Sequence, residues 1–88
     1  MMTYERLPDI LPPLPGDFSP HAYHVDVSTS RAVVLAWSPS KKEYATWRCY
    51  LGKPGWFWGH YFMLNPYNPQ DTQREARADY AERIAESL

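Results

Sequence analysis

YATWRCYL (44–51), GKPG (52–55) and WFWGHYFML (56–64) follow one another without interruption, and their reading decides the fold. β-branched and aromatic residues fill both runs and turn chemistry separates them, the signature of a β-hairpin. Strand periodicity places Ala45, Trp47, Cys49 and Leu51 on one face of the first run, with Tyr44, Thr46, Arg48 and Tyr50 on the other. In the second run Trp56, Trp58, His60, Phe62 and Leu64 share a face, opposed to Phe57, Gly59, Tyr61 and Met63. Pro54 and Gly55 suit the central positions of a type II turn, whose third residue needs φ > 0. With Lys53 paired to Trp56, the expected register sets Leu51 opposite Trp58, Cys49 opposite His60, Trp47 opposite Phe62, and Tyr50 over Gly59. A longer loop would shift that register, and a slip of one residue exchanges the faces.

Two further runs precede the hairpin. RAVVLAW (31–37) is apolar without alternation, as expected of a central strand covered on both faces. AYHVDVS (22–28) alternates Tyr23, Val25 and Val27 with His24, Asp26 and Ser28, as expected of a half-buried or edge strand. SPSKKE (38–43) is a polar turn between runs two and three. After the hairpin, NPYNPQ (65–70) breaks the sheet with two Asn-Pro steps, and DTQREARADYAERIAESL (71–88) has helix composition. Thr72 and Glu75 stand at capping-box spacing, while Asn68 followed by Pro69 offers a start one turn earlier. Ala76, Tyr80, Ile84 and Leu88, flanked by Ala81 and Ala85, form the stripe expected to face the sheet. Arg74, Glu75, Arg77, Asp79, Glu82, Arg83 and Glu86 are expected on the solvent side.

Upstream of the sheet, Pro8, Pro12, Pro13, Pro15 and Pro20 fix their own φ and hold their predecessors extended. Residues 7–15 therefore read as a polyproline II arm, with Leu7, Ile10, Leu11 and Leu14 apolar enough to lie on a surface. LPPLP also resembles a ligand for SH3 or WW grooves, but packing on this chain's own aromatic sheet is the better reading, because Arg6 is poorly placed for such docking. The fold expected is α+β: a three- or four-stranded antiparallel β-meander over 22–64, and one C-terminal α-helix over 69–88 packed on one face. An extended proline-rich N-terminal arm over 1–20 precedes them. With 88 residues, the chain buries about 60 to 65% of its unfolded surface and supports one domain.

Hydrophobic residues at 44% against 22% charged, with a net charge of −1, exclude a disordered tail. No stretch approaches the roughly 18 apolar residues of a membrane span. The opening residues lack the basic and apolar regions of a signal peptide, and Cys49 is the single cysteine, so a soluble cytoplasmic protein is expected. Size and simplicity suit a phage or mobile-element accessory protein.

Function is less legible. One helix covers one face of a four-stranded sheet, yet the hairpin carries large side chains on both. The face with Trp47, Leu51, Trp58 and Phe62 is the more purely apolar and is the expected partner of the helix. Tyr44, Arg48, Tyr50, Phe57 and Tyr61 then form a candidate contact surface for a protein partner or a second copy, through the sheet face or its edge. The expected function is that of a small non-catalytic binding or adaptor protein.

The alternative is nucleic-acid binding. Residues 31–53 carry Arg31, Lys41, Lys42, Arg48 and Lys53 against Glu43 alone, interleaved with aromatics, while the flanking segments are acidic. In architecture alone, with no motif matched, strands followed by a helix resemble small three-stranded-sheet DNA-binding domains of the integrase N-terminal type.

Catalytic chemistry finds little support. A Cys49–His60 dyad depends on the assumed register and lacks an orienting carboxylate or amide. His21, His24, Asp26 and His60 have no paired-ligand spacing of a metal site, and the four glycines are too scattered to cradle phosphate. No enzyme activity, cofactor or metal is expected.

Overall fold

The computed structural model describes Pro8 and residues 10–86. Leu7 and Asp9 of the arm, and Leu88 of the expected helical stripe, lie outside the described residues. Four strands, β1 (Ser19–Asp26), β2 (Arg31–Ser38), β3 (Glu43–Tyr50) and β4 (Phe57–Met63), precede one helix, α1 (Pro69–Glu86). All three pairings are antiparallel and the spatial order is β1-β2-β3-β4, so the sheet is an open meander whose edges are β1 and β4. The helix packs against β2, β3 and β4.

The non-alternating run is central, as its sequence predicts. Every residue from Ala32 to Ala36 is buried, and the larger aliphatics there stabilise the fold by about 1.5–3 kcal/mol each. The β1 strand starts earlier and ends sooner than its alternation suggests. Asp26 Oδ1 accepts from Ser28 N at 3.0 Å and from Ser28 Oγ at 2.6 Å, an Asx turn that puts Val27 and Ser28 in the loop. In the next turn, Asp17 accepts from Ser38 Oγ and, at 2.9 Å, from Ser40 N, joining the arm to the β2–β3 loop. The helix begins at Pro69, the earlier of the two starts, and Thr72 accepts instead from Asn65 N at 2.9 Å, fixing the loop that leaves β4.

The register of β3 against β4 differs from the sequence expectation by three residues over 44–46 and by four at Arg48. Tyr44 pairs with Phe62, Ala45 with Tyr61, Thr46 with His60 and Arg48 with Phe57, with an irregularity between Thr46 and Arg48. Two local features account for the shift. Lys53 N bonds back to Tyr50 O at 3.1 Å, and Gly52 and Gly55 both have φ near +86°, so residues 51–56 form a long loop in place of a two-residue turn. Trp58 then adopts a φ of 55°, a bulge conformation that breaks the alternation of β4. Gly55 does take the positive φ that its turn position predicts.

The shift of three moves Tyr61 to the Trp47 face and His60 and Phe62 to the Thr46 face, while Phe57 stays on the Arg48 face, and the covers of the sheet differ from expectation as well. The helix lies on the side of Tyr44, Thr46 and Arg48, since Thr46 Oγ1 donates to Asp79 and Arg48 bonds Glu86. The opposite side carries Val34, Ala36, Ala45 and Trp47 under Phe18 and Leu14, and Ala32 and Cys49 under Leu11. The arm therefore lies on the Trp47 face and the helix on the tyrosine–threonine face, the reverse of the sequence expectation. Trp56 sits outside β4, and its Nε1 donates to Pro12 O at 2.9 Å, fastening the LPPLP segment to the chain's own sheet.

Of the expected apolar stripe, Ala76 is buried and Tyr80 and Ile84 are half-buried, whereas the flanking Ala81 and Ala85 are exposed. Thr72, Ala76 and Arg83 are the buried residues of the helix, and Arg83, expected in solvent, is only 3% exposed.

Candidate interaction edge

Both faces at the centre of the sheet are covered, one by the helix and one by the arm, so no open face remains over β2 and β3. Exposed large apolar side chains concentrate instead on β4: Phe57 at 40%, Trp58 at 58%, Tyr61 at 58% and Met63 at 75%. Alone among the four strands, β4 contains no Lys, Arg, Asp or Glu. Charges, prolines and bulges are the usual protection of a sheet edge. The other edge has a proline and a charge that β4 lacks, Pro20 and Asp26, whereas each edge has one irregularity, between Pro20 and Ala22 in β1 and at Trp58 in β4.

The main chain of β4 has a defined orientation. Leu64 N donates to Lys42 O at 2.9 Å, which makes residues 64 and 42 a hydrogen-bonded pair. Antiparallel alternation then directs the amides and carbonyls of Phe62 and His60 toward β3, and those of Tyr61 and Met63 away from the sheet. Upstream, Trp58 O is occupied by Arg83 Nη2, so the outward ladder runs from Gly59 to Met63.

Polar contacts hold this strand from both sides. Toward the arm, Tyr61 folds over Gly59 and its hydroxyl accepts from Trp47 Nε1 at 3.3 Å, with ring centroids 5.8 Å apart. Toward the helix, Asp79 accepts from Thr46 Oγ1, lies 3.0 Å from His60 Nδ1, and has Arg83 Nε 3.4 Å away. Here the carboxylate stands between the hydroxyl and the imidazole, so the imidazole is not placed to take the Thr46 proton. That order suits a clamp between helix and sheet better than an activated nucleophile. Removal from water lowers the Arg83 pKa, and the Asp79 carboxylate opposes that shift.

The residues expected to share one contact surface are distributed. Tyr50 and Phe57 meet at 6.5 Å between centroids, joined by Trp58 at 5.9 Å from Tyr50, with the Arg31 guanidinium 5.8 Å from the Tyr50 ring. Tyr44 lies near the other end of β3, packed on Trp37 and His21. Arg48 is tied to Glu86, and Tyr61 is on the arm side. Trp58 and Met63, absent from the sequence-derived set, join the exposed edge. The uncharged composition of WFWGHYFML is the signal that could have found them.

The five cations are likewise divided. Arg31 and Lys53 stand near one end of the sheet, and Lys41 and Lys42 at the other. Strands of eight residues separate those ends by about 25 Å. Lys41 Nζ lies 5.7 Å from the Phe18 ring, and Arg48 is engaged by the helix.

Cys49 and His60 lie on opposite faces, and Cys49 is 1% exposed, with burial pushing its thiol up to about 11. Burial, aided by Arg77, lowers the His21 pKa. Among the described residues, no three His, Cys, Asp or Glu side chains gather as a metal site, and no helix is long and apolar enough to cross a membrane. Comparison of the chain with protein families, curated proteins and solved structures finds no match.

Proposed function

We propose that this chain is a small non-catalytic binding protein whose recognition element is the β4 edge. One observation carries the reading: the strand with an outward main-chain ladder is also the strand with the exposed, uncharged aromatic and thioether side chains. An edge of this kind adds an incoming strand, the ladder supplying main-chain hydrogen bonds and the alternate side chains supplying selectivity. Tyr61 and Met63 flank the ladder, and Phe57 and Trp58, stacked with Tyr50, extend the apolar contact at its upstream end. The reading sets the protein in the cytoplasm, where an unpaired cysteine such as Cys49 is usual.

A photo-crosslinking residue placed at Met63 tests this in the native cell. Val27, 77% exposed but in the β1–β2 turn, is the control position. Protein captured from position 63 and not from position 27 supports the reading. Equal capture from both positions, or none from position 63, contradicts it.

A further inference from the structure

We infer that the strand received by the β4 edge is the β4 of a second copy of this chain, paired antiparallel about a twofold axis at Tyr61. The inference rests on the edge reading above and names its occupant. Identical antiparallel edges are self-complementary when residues with outward main-chain groups meet one another. Here those residues are Gly59, Tyr61 and Met63. An axis at Tyr61 sets it opposite its own counterpart, and Gly59 opposite Met63 of the second copy. About six main-chain hydrogen bonds result.

Charge and side-chain chemistry select this register among those the ladder permits. An axis at His60 would oppose two imidazoles, whereas the axis at Tyr61 sets each His60 opposite a Phe62 on the helix side and the two tyrosines together on the arm side. No formal charge of β4 is brought against a like charge, and a net charge of −1 per chain gives little repulsion between copies. The protected β1 edges then lie at the two outer margins of an eight-stranded sheet, so assembly closes at two copies.

Area sets the strength. Given their exposures, Phe57, Trp58, Tyr61 and Met63 offer on the order of 500 Å² per copy. The total of about 1,000 Å² is at the lower bound of specific interfaces, so the dimer is concentration-dependent.

Sedimentation or light scattering across a concentration series tests the inference on the full chain. The mass of the natural chain rises from 10.3 kDa toward twice that value. Met63→Pro removes an amide directed away from β3, leaves the β3–β4 ladder intact, and holds the mass at 10.3 kDa at every concentration. If circular dichroism shows that variant unfolded, Met63→Lys at the same exposed position gives the same readout. A natural chain that stays at 10.3 kDa overturns the second copy as occupant, as does dimerisation that persists in the folded variant. The edge reading fails separately, on crosslinking from position 63.

Discussion

Tyr61 lies across Gly59, its hydroxyl 2.6 Å from where a Cβ on that glycine would stand, and Trp47 Nε1 closes the same space at 2.5 Å. The sequence suggested that Tyr50 of the neighbouring strand covers this glycine. The cover comes instead from Tyr61, two residues further along β4, and from Trp47 of β3, because the β3–β4 register is displaced. Gly59→Ala has no room without moving Trp47 or Tyr61. It is expected to destabilise the chain by about 1–3 kcal/mol and to alter the near-ultraviolet dichroism of Trp47, measured by denaturant titration and spectroscopy.

Asp79 is the second point that positions β4. It collects Thr46, His60 and the buried Arg83 in one clamp. Asp79→Ala leaves the Arg83 guanidinium with its nearest carboxylate gone and is expected to cost about 3 kcal/mol in urea unfolding. An unchanged midpoint would show that the clamp does not hold the helix to the sheet.

Cys49 supplies a reactivity test. Its thiol titrates near 11 against an ordinary value of 9.0 because burial disfavours the thiolate. At pH 8 the folded chain holds on the order of a hundredfold less thiolate than an unfolded one, so iodoacetamide labelling is slow until denaturant is added. Between pH 9 and 11 the unfolded state loses this proton first, so the Cys49 contribution to stability is complete below 9.0 and is lost as pH rises through 11. Fast labelling of the folded chain at pH 8 would contradict the burial.

Acid acts through His21. Its folded pKa is depressed below 6.5 by burial first and by Arg77 second. In that window the unfolded state binds more protons, so the contribution is complete above 6.5 and is lost as pH falls through the folded value. His21→Gln is expected to flatten the loss of thermal stability between pH 7 and 5. Asp17 and Asp26 act lower still: hydrogen bonds from Ser38 and Ser28, respectively, are the largest causes of their depressed values. Their contribution is complete above 3.8 and is lost as pH falls through their folded values.

Local pattern was enough for the strands and the helix. The unbroken apolar run from Ala32 to Ala36 placed β2 in the centre, and Pro69 marked the first residue of the helix. The relation between β3 and β4 was not legible. GKPG has the chemistry of a tight turn, but the positive φ at Gly52, Gly55 and Trp58 absorbs extra residues, and the face assignments of residues 60–63 invert while Phe57 keeps its expected side with Arg48. Trp56 read as a strand residue because its partner, the Pro12 carbonyl, lies 44 residues away. Arg83 read as solvent-facing for the same kind of reason: Asp79 satisfies it from its own helix, but Trp58 O and His60, which require burial, belong to β4. The edge position of Met63 and Trp58 does not depend on that register, because β4 is the outer strand of the meander in either; the shift decides only which cover each side chain lies beside.

Residue-resolved amide exchange tests the edge most directly, in whatever complex the chain forms, with itself or with protein captured at position 63. The amides of His60 and Phe62, bonded to β3, are slow in the free and bound chain alike. Those of Tyr61 and Met63 exchange fast in the free chain and become slow in the complex. If Tyr61 and Met63 exchange equally fast in both, β4 does not receive a strand and the account is wrong.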